Sequence, residues 1–330
     1  MNEIAVQMKA VTRAHYGGPG VLRVTLRERP VPRRDEVLIR VHAAGLDYGQ
    51  WHLMTGLPYV MRVATGLTRP RQRGLGVDVS GVVEAVGATV TRFKVGDAVF
   101  GAASQAYAEF ACAREDQLCL KPGRLSFEQA AVSAVSGVTA LIGLRDAAQV
   151  KPGQAVCILG AGGGVGSWAV QLARHFGADV TAVCSTSKVE FVRSLGATSV
   201  VDYTRQALPT DGRFDVILDL AGHRPLRLLR QALAPGGTLV LGGGEGGDRF
   251  VGGLGRALRA KLGSMFSTQR VVVLMGFVQP EPLQALARIL EPSGVTPAVD
   301  RSLLLEETAD AMRALVSGQV RGKLVLRVGR

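Results

Sequence analysis

Between Ile158 and Ser167 the chain reads Ile-Leu-Gly-Ala-Gly-Gly-Gly-Val-Gly-Ser, preceded by an apolar run and followed by a helical pattern. Glycine at this density lets a backbone turn sharply and come close to a ligand. The first turn of a helix leaves amide N–H groups without intrahelical acceptors, and the helix dipole adds positive potential there. The chemistry this segment supports is binding of a phosphate or pyrophosphate. In the dinucleotide register the three fingerprint positions are Ala161, Gly163 and Gly166, so alanine replaces the first glycine.

About twenty residues further on, an enzyme that prefers NAD carries an acid for the ribose 2′-hydroxyl. Here that stretch is Cys184-Ser185-Thr186-Ser187-Lys188, with no acid before Glu190. A carboxylate would repel a 2′-phosphate, whereas hydroxyls and an ammonium donate charge-assisted hydrogen bonds to it. Ser185 alone would serve equally as a helix cap. Taken together with the missing acid, the composition favours NADPH as cofactor.

A dehydrogenase layout raises the question of zinc. Zinc-dependent alcohol dehydrogenases need Cys or His ligands in the first domain and a four-cysteine structural lobe. After Ala43-Ala44-Gly45-Leu46, where such enzymes place the first cysteine, this chain has Asp47. Where they place a His-Glu pair it has Val77-Asp78. The cysteines, at 112, 119, 157 and 184, form no C-x-x-C pair and have no histidine at ligand spacing. They read as small core residues of a reducing compartment, and no metal is expected.

The elements that must hold these residues fall into two kinds. Residues 1–128 read as short strands separated by Gly/Pro turns, at Val21–Leu26, Glu36–His42, Val77–Val86, Ala98–Phe100 and Ala106–Ala111. Their alternation predicts an antiparallel, partly barrel-like domain. From Phe127 helix and strand alternate. A long helix is expected over Glu128–Ala148, a buried strand over Ala155–Leu159, and a helix over Val165–Phe176 closed by Gly177. Further strands are expected at Asp179–Cys184, Ser199–Asp202, Val216–Leu220, Thr238–Gly242 and Val271–Met275. Helices are expected at Lys188–Leu195, Pro225–Leu233 and Pro282–Leu290. This order predicts a doubly wound parallel sheet over 129–299. After a helix at Glu306–Val316, the piece Lys323–Val328 is expected to return to the first domain, which residues 300–330 complete.

Bulk composition sets the outer bounds. At 330 residues with 47 % hydrophobic and 20 % charged side chains, the chain is long enough for two cores and is not of disordered type. The formal charge of +12 comes from 32 Arg and 7 Lys against 27 acids. The basic residues are scattered rather than gathered in an arm, and no nucleic-acid-binding motif is present. No apolar run reaches the length of a membrane span and the N-terminus lacks a signal-peptide core, so a cytoplasmic protein is expected.

Several segments together resemble a known family: Ala43–Asp47, Gly76-Val77-Asp78-Val79-Ser80-Gly81 through Gly87, Phe93–Gly101, Ser136–Ala140, the glycine loop with Val170–Ala173, and Gln319–Lys323. The chain is similar to the zinc-free quinone oxidoreductases of the medium-chain dehydrogenase/reductase superfamily. The likeness is closer to bacterial relatives of the reticulon-interacting mitochondrial oxidoreductases. The resemblance implies a GroES-like catalytic domain, a Rossmann domain and an active site between them. It also implies that Gly163, Gly164 and Val165 hold the pyrophosphate and that Ser185, Lys188 and Tyr203 surround the 2′-phosphate. Thr139 would lie near the nicotinamide, and Val320 and Arg321 would add late contacts. The family often has Asn at Asp47, and a carboxylate there accepts hydrogen bonds but cannot donate an amide one.

The reaction this resemblance implies is hydride transfer to a quinone or to the β-carbon of an enone, a small electrophilic and apolar substrate. Asp47, Tyr48, His52 and Tyr59 are the candidate catalytic residues, the last three as proton donors, although solvent suffices for a quinone. The arginine-bearing segment Leu57–Arg73 and the stretch Gly243–Arg270, with a basic amphipathic helix around Leu254–Leu262, are candidates for shaping substrate choice, the latter as a lid over an apolar substrate or a weak membrane-surface contact, with a plain surface helix favoured over membrane binding. The likeness also implies a homodimer through the strand near Val271–Met275. A zinc-free alcohol or carbonyl dehydrogenase and a non-catalytic NADPH-binding sensor are the alternatives, the latter kept open by Asp47.

Overall fold

Continuous apolar runs in the middle of the chain and alternating ones at its two ends produce two different sheets. The computed structural model describes residues 6–243, 247–264, 267–274, 276–292 and 294–329. The chain divides into one unit of Met1–Leu57, Met61–Val138 and Val278–Arg330 and a second of Pro58–Val60 and Thr139–Phe277. The strands of the first unit are β1 (Gln7–Thr12), β2 (Arg23–Glu28), β3 (Glu36–Gly45), β4 (Asp78–Val86), β5 (Ala98–Ala102), β6 (Phe110–Arg114) and β7 (Leu118–Leu120). The second unit supplies β8 (Ala155–Leu159), β9 (Asp179–Cys184), β10 (Ser199–Asp202), β11 (Phe214–Asp219), β12 (Leu233–Leu241) and β13 (Arg270–Val273). The chain then returns to the first unit with β14 (Val299–Leu304) and β15 (Lys323–Arg327).

In the first unit β1 and β2 form a hairpin, and a larger sheet runs β14-β15-β3-β4-β5-β7 with β6 also paired to β3. Pairing is antiparallel except between β14 and β15. The inward side chains of Val37, Ile39, Val41, Val79, Val83, Val99, Leu118, Leu324 and Leu326 make one core, each contributing about 1.5–3 kcal/mol by leaving water. Helices α1 (Tyr48–Thr55), α2 (Arg62–Thr65) and α3 (Phe127–Ala131) accompany this sheet, and α4 (Ala134–Leu141) contains the division between the units.

The second unit is a parallel sheet in the order β10-β9-β8-β11-β12-β13, the arrangement of a doubly wound nucleotide-binding fold, with its order reversing between β8 and β11. Helices α5 (Gly164–His175), α6 (Val189–Ser194), α7 (Leu226–Ala232) and α8 (Leu254–Ser264) belong to it. Helices α9 (Pro280–Leu290) and α10 (Thr308–Val316) belong to the first unit.

The units divide at 138/139 and 277/278, whereas the sequence places the boundaries at 128/129 and 299/300. The second difference has a clear cause: Arg124 Nε and Nη2 donate to the carbonyls of Leu290 and Val295 at 2.8 and 2.7 Å, binding the end of α9 to the first unit. The helix expected over Glu128–Ala148 is three pieces: α3, α4 and a π-helical stretch at Ile142–Ala147. Strand β6 begins at Phe110 rather than Ala106, and β1, β7 and β14 were not anticipated. Parts of the Gly243–Arg270 and Val271–Met275 readings (244–246, 265–266 and 275) lie outside the described residues.

Candidate functional site

The glycine segment leaves β8 through Gly160, whose φ of +78° is one that L side chains rarely adopt. Ala161 has no positive φ and is fully buried. The tight turn therefore needs glycine at 160 and not at 161, which is why alanine is tolerated at the first fingerprint position. The N–H groups of Gly160 and Ala161 donate to the carbonyl of Val183 on β9, at 3.2 and 3.1 Å. Gly163 is the N-cap of α5 and gives its own N–H to Gly160 O at 3.1 Å. Of the three pyrophosphate residues expected, Gly163 thus shapes the turn, while Gly164 and Val165 open the helix with amides that have no intrahelical acceptor. A Cβ on Gly166 would run into the Gly160 carbonyl and the Ala161 backbone, whereas one on Gly163 would meet its nearest neighbour at 3.4 Å. Close approach of the helix to the turn is required at 166 and not at 163.

The second strand ends beside this loop. A Cβ on Gly162 would lie 2.6 Å from Lys188 Cδ, so the lysine stem lies against the glycine loop and a side chain there would have to displace it. Ser185 Oγ makes no capping bond and lies 3.4 Å from Ser187 Oγ. Tyr203 is 54 % exposed, and its N–H donates to Cys184 O at 3.1 Å, joining the ends of β9 and β10. Ser185, Lys188 and Tyr203 therefore sit on adjacent strand ends. Thr139, nearly buried on α4, has its hydroxyl 3.4 Å from a Cβ placed on Gly276.

Residues that sequence reasoning missed complete this edge. Asp202 accepts from the Thr186 hydroxyl at 2.6 Å and from the amide and hydroxyl of Thr204 at 3.0 and 2.7 Å. Asp219, fully buried at the end of β11, accepts the amides of Ala221 and Gly222, and Arg256 of α8 pairs with it at 2.7 Å. Short Asp-Tyr-Thr or Asp-Leu-Ala-Gly strings carry no pattern that distinguishes them from ordinary turns.

In the first unit Asp47 is the N-cap of α1, with Oδ1 accepting the Gln50 amide at 3.1 Å. Asparagine would cap the helix equally well, so the exchange of Asn for Asp preserves the local fold. Asp47 Oδ2 is buried and has no hydrogen-bond partner among the described residues. Tyr48 donates to Leu315 O at 3.3 Å, and His52 Nδ1 lies 2.8 Å from Leu57 O. Val320 is buried in the core, and the Arg321 amide donates to Asp300 Oδ1 at 3.2 Å. Tyr59 belongs to the second unit, where its ring meets Phe250 edge-on at 5.7 Å.

Beneath Asp47, Asp78 and Lys323 form a fully buried ion pair, and Asp78 Oδ1 also accepts the Val135 amide at 2.6 Å. Burial holds the Asp78 carboxyl up at about 6 against the opposing pull of Lys323, with the nearby Asp47 charge adding to the rise. Burial and the same two acids push the Tyr107 phenol well above its ordinary value, and its hydroxyl donates to Gly45 O at 3.2 Å. Among the described residues no group of three or more His, Cys, Asp or Glu side chains is placed to hold a metal. No helix there is long and apolar enough to cross a membrane.

A GroES-like unit, a doubly wound sheet in nucleotide-binding order and a glycine turn at the head of α5 define a medium-chain dehydrogenase/reductase. The chain belongs to the quinone oxidoreductase-like branch of that superfamily and is an oxidoreductase dependent on a nicotinamide cofactor. Residues 33–170 match the alcohol dehydrogenase GroES-like domain and residues 195–326 match the zinc-binding dehydrogenase family. A quinone oxidoreductase of Pseudomonas aeruginosa is 32 % identical over 96 % of this chain and 99 % of its own length. A 2-methylene-furan-3-one reductase of Solanum lycopersicum is 32 % identical, over 98 % of this chain and 80 % of its own. A mycobacterial protein solved with NADPH superimposes with a TM-score of 0.82 at 27 % identity, covering 97 % of this chain and 99 % of that one.

Proposed function

We propose that this protein is a zinc-independent reductase that uses NADPH to reduce a quinone or an α,β-unsaturated carbonyl. The observation that carries the cofactor assignment is the acid-free end of β9, with Ser185 and Ser187 grouped there and the Lys188 stem lying against Gly162. Those groups fit a phosphorylated adenosine ribose, and the relative solved with NADPH supports the same choice. When bound, the cofactor supplies the hydride; the chain supplies binding and orientation. Gly164 and Val165 hold the pyrophosphate, Ser185, Lys188 and Tyr203 the 2′-phosphate, and Thr139, Val320 and Arg321 add the remaining contacts.

Zinc-independence rests on residue type: where zinc enzymes carry their first cysteine and their His-Glu pair, this chain has Asp47 and Val77-Asp78. Asp47 caps α1 and Asp78 is closed by Lys323 and Val135. Of the proton-transfer candidates, the Tyr48 hydroxyl is already bonded to a backbone carbonyl. His52 keeps Nε2 for substrate while Nδ1 is held by Leu57 O. Tyr59 is 41 % exposed beside Phe250. His52 and Tyr59 are therefore the groups to test for an enone, whereas a quinone takes its proton from solvent. The named activities of the Pseudomonas and Solanum relatives support these two substrate classes. The edge strand β13, paired only to β12 among the described residues, is the surface for a second copy in a homodimer.

The deciding experiment records nicotinamide absorbance with paired panels of quinones, enones and simple aldehydes, using NADPH and NADH. Oxidation of NADPH, much faster than of NADH, by quinones or enones is expected. Turnover of aldehydes alone would refute the reductase assignment, and equal use of NADH would refute the NADPH assignment.

A further inference from the structure

We propose that Asp202 is a positioning residue for recognition of the adenosine 2′-phosphate and that Arg205 supplies a second cation there, an inference that rests on the NADPH reading. Asp202 is the last residue of β10 and is paired in register with Cys184, the last residue of β9. It is 9 % exposed, and protein donors reach both of its oxygens. The Thr186 hydroxyl donates to Oδ2, and the amide and hydroxyl of Thr204 donate to Oδ1. Thr186 Oγ1 and Thr204 Oγ1 are themselves 2.8 Å apart. One carboxylate thus ties the loop after β9 to the turn after β10, the two segments that carry Ser185, Ser187 and Lys188 on one side and Tyr203 and Arg205 on the other.

A hydroxyl has a single proton to donate. Thr186 and Thr204 give theirs to Asp202, so they act as the frame of the site and not as its phosphate donors. The groups that this reading assigns to the phosphate are Ser185, Ser187, Lys188, Tyr203 and Arg205. Arg205 Nε stands 3.7 Å from Asp202 Oδ2 while its side chain is 75 % exposed, so one guanidinium nitrogen faces the carboxylate and most of the side chain stays open to solvent. Thr186, then Thr204 and the Arg205 charge, hold the Asp202 carboxyl below its ordinary range, so it stays an acceptor throughout the neutral region. An acid at the end of β9 would exclude a 2′-phosphate. Placed one strand over and saturated by internal donors, the same chemical group organises the site that accepts it.

The test compares binding of 2′,5′-ADP and of 5′-AMP by calorimetry, together with KM for NADPH and NADH, in the full chain. The variants are Asp202→Ala, Asp202→Asn, Arg205→Ala and the double Thr186→Val/Thr204→Val. Asp202→Ala and the double variant are expected to weaken 2′,5′-ADP binding about ten- to a hundredfold and to leave 5′-AMP unchanged. Asp202→Asn, which keeps one acceptor, should fall between. Arg205→Ala should cost about tenfold for 2′,5′-ADP and reduce its salt dependence. Parallel losses for both ligands would overturn the inference by showing a general structural role, and so would tighter 2′,5′-ADP binding in Asp202→Ala. Should Asp202→Ala fail to fold, Arg205→Ala and the double variant decide. The wild-type arm separates the two readings. A wild type that binds 5′-AMP as tightly as 2′,5′-ADP refutes the NADPH assignment itself, whereas a selective wild type with unselective losses in the variants refutes only the roles of Asp202 and Arg205.

Discussion

Two acids, Asp78 and Asp202, show how differently the two units use a buried carboxylate. Asp78 sits deep in the first unit, closed between Lys323 and the Val135 amide, and burial raises its pKa to about 6. Asp202 sits at a strand end of the second unit, surrounded by hydroxyls that lower its pKa. Desolvation dominates the first and hydrogen bonding dominates the second. The lesson is that a salt bridge with Lys323 does not make Asp78 comfortable, whereas neutral donors at an open edge suffice for Asp202.

The comparison breaks most visibly at Lys323. Lys323→Met would leave Asp78 buried without a cation and should cost about 3–5 kcal/mol in denaturant unfolding at neutral pH. Its effect should shrink as the pH falls toward about 6 and then level off, because without Lys323 the buried carboxyl takes up its proton above the wild-type value of about 6. An unchanged midpoint would mean that the pair is not buried in solution. Gly166→Ala comes next. Its Cβ would force α5 away from the turn at Gly160 and should weaken binding of the nicotinamide cofactor about 100-fold, roughly 3 kcal/mol, with normal helical circular dichroism. Gly163→Ala should change it only a few-fold, and equal losses would contradict the assigned turn geometry.

The pH dependence sharpens the same contrast. The folded-state pKa of Asp78 lies above its unfolded value, so between about 4 and 6 the native state binds more protons than the unfolded one. From this group, stability is greatest below the unfolded pKa and declines as pH rises through about 6. Asp78→Asn should remove that decline, seen by subtracting the two unfolding profiles. Asp202 contributes with the opposite sign: its stabilisation is present above the ordinary carboxylate range and is lost as pH falls through its lowered folded pKa. The smallest effects concern Asp47. Asp47→Ala should lose about 1 kcal/mol by removing the cap, while Asp47→Asn should stay within about 0.5 kcal/mol. A larger loss in the Asn variant would assign Asp47 more than a capping role.

The doubly wound sheet was legible because its central strands are buried on both faces. Ala155–Leu159 and Asp179–Cys184 are observed with the bounds their apolar runs predicted, and the edge strand Ser199–Asp202 also keeps its expected bounds. The first unit was harder. Ala106, Tyr107 and Ala108 are buried, but the hydrogen bonds of Ala106 and Tyr107 reach Gly76 and Leu75 at a bend, and the regular pairing starts only at Phe110. Burial was readable there; pairing was not. The long helix from Glu128 failed for a comparable reason. The Ser126–Gln129 capping box starts it well, but the Val135 amide that would continue it belongs to Asp78, a residue far earlier in the chain. The cofactor edge showed the same split. Gly162, Gly166 and Lys188 lie close in sequence or obey a spacing rule, whereas Asp202 meets Thr186 only through strand pairing that no local pattern names.

The strand that carries Lys323 also dictates an order of assembly. β15 inserts between β14 and β3 in the sheet of the first unit, so that sheet lacks an interior member until Lys323–Arg327 has been made, after the whole of the second unit. The second unit is built almost entirely from the continuous stretch Thr139–Phe277. During synthesis the second unit can therefore fold while β3 waits for β15, and the open edge of β3 is the segment that a chaperone would have most reason to cover.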